Sequence, residues 1–81
     1  MKLNVKAFAL ACGVVWGLGM FLLGLMDTFL QWGTGFRYVM STLYLGYTPT
    51  VLGSIIGAAW GLVDGGCGGL VVAWLYNKFV K

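Results

Sequence analysis

Ala7 to Met26 reads AFALACGVVWGLGMFLLGLM, twenty residues without a charge. At 1.5 Å per residue, a helix of that length covers about 30 Å, the hydrocarbon thickness of a bilayer. Asp27 follows and is expected to stop it. A second apolar stretch runs from about Val51 to Tyr76 and carries one charge, Asp64. As a helix it would be roughly 39 Å long, more than a bilayer needs, so it is expected to tilt, kink or protrude. The two stretches predict an all-α membrane protein, a two-helix transmembrane hairpin. It forms a single membrane domain over residues 1–81: span one at about 7–26, an outer loop at about 27–50 and span two at about 51–76.

Composition agrees. Of 81 residues, 60% are hydrophobic and only 9% are charged. A soluble domain usually carries about a quarter charged residues. Seven charges cannot cover a water-facing surface, and a soluble core of this length would be marginal. The net charge of +3 comes from four Lys at the two ends and Arg37 in the middle. No basic stripe tracks phosphates, so no nucleic-acid partner is expected. Cys12 and Cys67 both fall in apolar stretches and read as small hydrophobes rather than as a disulfide. There is no His, and two acids with two lone Cys make no metal set. No metal and no cofactor are expected.

Lys2 and Lys6 before an apolar run could introduce a signal peptide, but the run is longer than the usual core of one and no clean cleavage site follows. It is read as a retained helix. Lys2, Lys6, Lys78 and Lys81 flank the spans from outside, whereas only Arg37 lies between them. The positive-inside bias then puts both termini in the cytoplasm of a bacterial cell, with the protein multi-pass in the inner membrane.

The loop is long for a hairpin and is not polar. Phe36, Val39, Met40, Leu43, Tyr44 and Tyr47 follow a spacing of three to four residues, with Arg37, Ser41 and Thr48 off that stripe. One reading is a short amphipathic helix in the outer interface, anchored at headgroup depth by Trp32, Tyr38, Tyr44 and Tyr47. The other is a loop folded back on neighbouring subunits. Pro49 suits the start of the second helix, with Thr48 as its N-cap.

The strongest pattern lies in the second span. Gly53, Gly57, Gly61, Gly65 and Gly69 recur every fourth residue, and Ala73 continues the row. Residues four apart share a helix face, so the row is a groove that admits a second backbone. Gly13, Gly17 and Gly24 form a weaker match in the first span. The ladder could close the hairpin through Gly13 and Gly17, or pack between subunits. Asp64 points within about 20° of Gly53 and Gly57 at 100° per residue, so it is expected on the packed side. It is the candidate intramembrane polar site: an ion or proton site, a polar ring in an oligomer, or a protonated or hydrogen-bonded group that fixes register, with Trp60, Trp74 and backbone groups as the donors. The run Asp64-Gly65-Gly66-Cys67-Gly68-Gly69 invites a kink or local unwinding.

The start Met1-Lys2-Leu3-Asn4-Val5-Lys6 with Trp16-Gly17 resembles a small bacterial family. So does the second half: Gly46-Tyr47, Gly53-Ser54-Ile55-Ile56-Gly57, Trp60-Gly61, Asp64-Gly65, Gly68-Gly69 and Ala73-Trp74-Leu75-Tyr76-Asn77. Its members are two-span membrane proteins of unknown function, often labelled bacteriophage holin. The resemblance covers nearly the whole chain except the middle loop. It implies both termini inside, assembly through small-residue faces and membrane lesions. Holins commonly carry a strongly charged C-terminal tail, and here it is only Asn77 to Lys81. A rotor-ring subunit of ATP synthase is a poorer comparison: its glycine repeat lies in the first helix, its loop is short and its orientation is reversed.

These readings lead to one expectation for function: a holin-like or channel-like homo-oligomer assembled through the glycine ladder. The alternative is a non-conducting structural or accessory subunit of a larger membrane complex. The partner in either case is the lipid bilayer. No catalytic residue is expected, because Asp64 has no convergent polar groups around it and catalysis needs them.

Overall fold

Asn4 begins the first helix: its side chain accepts a hydrogen bond from the Ala7 amide at 3.1 Å, satisfying one of the free donors of the first turn. The computed structural model describes residues 2–80, which form three helices and no strand: α1 (Val5–Leu30), α2 (Thr34–Ser41) and α3 (Val51–Phe79). Helices α1 and α3 are long and apolar enough to cross a membrane. They run antiparallel side by side in a body of 48 × 18 × 18 Å. At one end the Leu3 amide and carbonyl exchange hydrogen bonds with the Asn77 side chain, at 2.6 and 2.8 Å. At the other end Gly24 meets Ser54.

Three local expectations are corrected. Asp27 does not stop α1, which continues to Leu30, because its carboxylate is buried against Arg37 and so need not reach water. The helix ends instead at Gln31, which adopts a left-handed conformation (φ 53°). The N-cap of α3 is Thr50, not Thr48: its hydroxyl accepts from the Gly53 amide at 2.8 Å. The glycine-rich run after Asp64 shows no break, and α3 is continuous through it. Gly65 and Gly69 lie directly against α1, so packing holds the backbone that propensity alone would loosen.

The helix contact is set by backbone rather than side chains. A Cβ on Gly13 would stand 2.7 Å from the Leu62 carbonyl oxygen, and one on Gly17 3.0 Å from that of Ala58. From the other side, a Cβ on Gly61 would meet Gly17 Cα at 3.0 Å, and one on Gly65 the Cys12 carbonyl oxygen at 2.8 Å. Such approaches give dispersion contacts along the whole seam and require residues without a side chain.

The segment between the long helices does not extend outward from them. After α2 the chain turns back beside α3, and the Tyr47 ring covers Gly57. Gly57 lies six residues into α3, about 9 Å along its axis. Met20, Leu23, Met40, Tyr44 and Tyr47 form the buried cluster beneath this strap. The amphipathic helix is thus shorter than its sequence stripe and turned differently. Phe36, Val39 and Leu43 are exposed, whereas Arg37, Met40, Tyr44 and Tyr47 are buried. That second set also repeats at three and four residues, and it wins because Arg37 has Asp27 to meet on the inner side.

Candidate functional site

Asp64 lies one residue from the middle of α3, whose ends are Val51 and Phe79. The sequence places it on the packed side; the structure places it at the edge of the α1–α3 seam, exposed to the surroundings of the protein. The difference is angular. The seam is centred on Gly61, Gly65 and Gly69, and Asp64 lies a step around the helix from that row, facing the strap.

Tyr44 reaches it from the strap. The Tyr44 hydroxyl donates to Asp64 Oδ2 at 2.6 Å and accepts from Trp16 Nε1 at 2.8 Å. Both donors in this chain point toward the carboxylate. The Tyr44 ring stacks on Trp60 at a centroid distance of 6.0 Å and an interplanar angle of 6°. Trp60 in turn donates from Nε1 to the Leu45 carbonyl at 2.9 Å. Burial, followed by the hydrogen bond to Asp64, raises the pKa of the Tyr44 phenol above its ordinary value. It therefore remains a donor at neutral pH. Leu43, Tyr44, Trp60, Val63, Asp64 and Cys67 line a shallow cleft of about 330 Å³ on this side of the molecule.

A second polar cluster fixes the strap at its far end. Arg37 Nε donates to Asp27, which also accepts from the Thr34 hydroxyl, and Arg37 Nη1 donates to the Tyr47 carbonyl at 3.0 Å. The Tyr47 hydroxyl donates to the Met20 carbonyl, with burial pushing its pKa up to about 12. Among the described residues no buried side-chain polar atom lacks a partner. Non-helical backbone is tolerated in an apolar setting only where its polar groups are satisfied, and here the carbonyls of Leu45 and Tyr47 are taken by Trp60 and Arg37.

The ladder divides in two. Gly61, Gly65 and Gly69 face α1, where Gly13 and Gly17 oppose them. Gly53 and Gly57 instead accommodate Thr48 and Tyr47 of the strap. Of the four aromatic anchors, Trp32 and Tyr38 are exposed, at 60% and 65%. Tyr44 and Tyr47 are buried at 3% and 1%, because their hydroxyls find partners between the helices and not outward. Sequence reasoning missed Arg37, Asp27 and Trp16 as members of these clusters, and it offered Trp60 as a donor to Asp64, whereas Trp60 donates to the Leu45 carbonyl and Tyr44 supplies the donor. One signal was available: with only seven charges in the chain, an Asp and an Arg ten residues apart near a span end are natural partners.

No three acidic, Cys or His side chains among the described residues gather as metal ligands. Comparison with protein families, characterised proteins and solved structures finds no match to this chain.

Proposed function

We propose that the protein is a two-span hairpin of the bacterial inner membrane, both termini cytoplasmic, that acts as a holin-like or channel-like homo-oligomer. The observation that carries this is the exposed Asp64 at the middle of α3. A carboxylate facing hydrocarbon at that depth costs about 2.5–3.5 kcal/mol on insertion scales. A wet path along that face, enclosed between copies, removes the cost. The glycine ladder is occupied within the chain, so the proposal has the copies surround a wet path on the Asp64 side rather than pack through the ladder.

A non-conducting subunit of a larger membrane assembly is the second reading. It is favoured by the same seam, because the ladder is filled by α1 and the strap within one chain. Expression of wild type and Asp64→Asn with a membrane-potential dye and a plating test separates the two. Rapid depolarisation and loss of viability with wild type, weakened in Asp64→Asn, is the expected result. Intact potential with a stable, discrete oligomer in mild detergent would leave the structural reading.

A further inference from the structure

We infer that the cleft beside Asp64 is a binding site for a lipophilic organic cation. The inference rests on the membrane reading of α3, but not on conduction or assembly.

Charge is the first argument. Asp64 forms no ion pair among the described residues, and no Lys or Arg of the chain lies within a dozen residues of it along α3. Arg37 is committed to Asp27 at the far end of the strap, and the Lys residues stand at the two ends of the chain. A second copy brings the same set, so it brings no counter-charge to the middle of the helix either. A positive charge that meets the ionised carboxylate in place of a proton therefore comes from outside the protein.

The walls decide what kind of cation. Asp64 Oδ2 already accepts from Tyr44, whose own oxygen is engaged by Trp16. Asp64 Oδ1 receives no hydrogen bond. A small inorganic ion stripped of water needs about six or more oxygen ligands, and this cleft offers one carboxylate with a single, occupied phenol. Its other walls are Leu43, Val63, Cys67 and Trp60, which is 40% exposed. A cation that carries its own apolar groups needs no oxygen cage. Its charge meets the carboxylate and a cation–π contact with Trp60, while its substituents cover the aliphatic wall. The Trp16–Tyr44 chain fixes the carboxylate rotamer, so the site is formed before the ligand arrives.

The test uses the full chain purified in dodecylmaltoside, with tetraphenylphosphonium as the probe and tryptophan fluorescence as the readout. Saturable binding is expected. Asp64→Asn, which keeps an oxygen for Tyr44, should weaken it by at least about tenfold, and Trp60→Leu by a smaller factor. In a Cys12→Ala background, the bound probe should slow maleimide labelling of Cys67, which lines the same cleft. This second readout needs no change at Asp64. Neutral triphenylphosphine oxide should neither compete nor protect. Equal binding to Asp64→Asn and wild type overturns the inference, as does equal competition by the neutral compound. Displacement of the probe by sodium at low millimolar concentration would make the site one for an inorganic ion. None of these measurements requires a pore, so failed depolarisation in cells leaves them standing, and their failure leaves the depolarisation result standing.

Discussion

Gly65 and Gly68 lie on one helix, three residues apart, and the same substitution should act on them with opposite sign. A Cβ on Gly65 would stand 2.6 Å from Trp16 Cβ, 2.8 Å from the Cys12 carbonyl oxygen and 3.2 Å from Gly13 Cα. Two of those three atoms are backbone, so relief requires α1 to move. Overpacking of this kind costs about 1–3 kcal/mol. Alanine returns about 1 kcal/mol of helix propensity, less where lipid already enforces the helix. Gly65→Ala should therefore destabilise the α1–α3 contact by about 1–2 kcal/mol. A Cβ on Gly68 meets nothing within 4 Å, so Gly68→Ala should be neutral or stabilising by up to about 1 kcal/mol. Reversible unfolding in mixed micelles of rising dodecylsulfate fraction measures both. Tryptophan fluorescence is the reporter, since Trp16 and Trp60 both lose Tyr44 when the helices part. If Gly65→Ala were as stable as wild type while its oligomer fell apart, the ladder would be an interface between subunits and the intrachain seam would be wrong.

Both termini should be cytoplasmic, since Lys2, Lys6, Lys78 and Lys81 stand at the terminal ends of the two long helices and only Arg37 lies between the helices; a reporter fused after Lys81 that reads as external would refute this. Arg37→Gln leaves the buried Asp27 carboxylate without its cation and should cost about 3–5 kcal/mol, with Asp27→Asn in the same chain recovering a large part, both read in the same micelle titration. Tyr47→Phe removes the hydrogen bond to the Met20 carbonyl and should cost about 0.5–1.5 kcal/mol. Because folding raises the Tyr47 pKa from 10.0 to about 12, its contribution is full below pH 10 and is lost as pH rises toward 12. The alkaline decline of stability should therefore be shallower in Tyr47→Phe than in wild type.

The long helices were legible because lipid-length apolar runs are read by counting. The ladder was legible as a close-packing face because a four-residue period leaves few alternatives. What it packs against was not, since a groove fits any backbone. The answer depends on Gly13 and Gly17, whose spacing matches Gly61 and Gly65 in antiparallel register. Asp64 was misjudged by a fraction of a turn. A wheel assigns a direction relative to other residues of one helix, and whether that direction is buried depends on where the neighbour's axis runs. The strap was the least legible part. Its stripe of 36, 39, 40, 43, 44 and 47 is wide enough to admit two phases, and the structure buries 40, 44 and 47 with Arg37 and leaves 36, 39 and 43 exposed. That phase brings Arg37 to Asp27 and the Tyr44 and Tyr47 hydroxyls to Asp64 and the Met20 carbonyl, contacts that a count of apolar residues does not register.

That choice of phase ties the two polar clusters together. Arg37 holds the Tyr47 carbonyl, Tyr47 sits on Gly57, and three residues before it Tyr44 reaches Asp64. The strap is therefore the element that connects the Asp27 end of α1 with the middle of α3. Glycine at positions 53 and 57 is needed for the strap, and at 61, 65 and 69 for α1, so one repeat serves two contacts of different kinds. A bulky residue at Gly57 would displace Tyr47 and shift the neighbouring Tyr44, whose hydroxyl orients Asp64, while leaving the glycine contacts between α1 and α3 in place. A bulky residue at Gly65 would open the seam while leaving the strap's own ion pair intact. The carboxylate stands at the meeting point of both, and its orientation depends on each being closed.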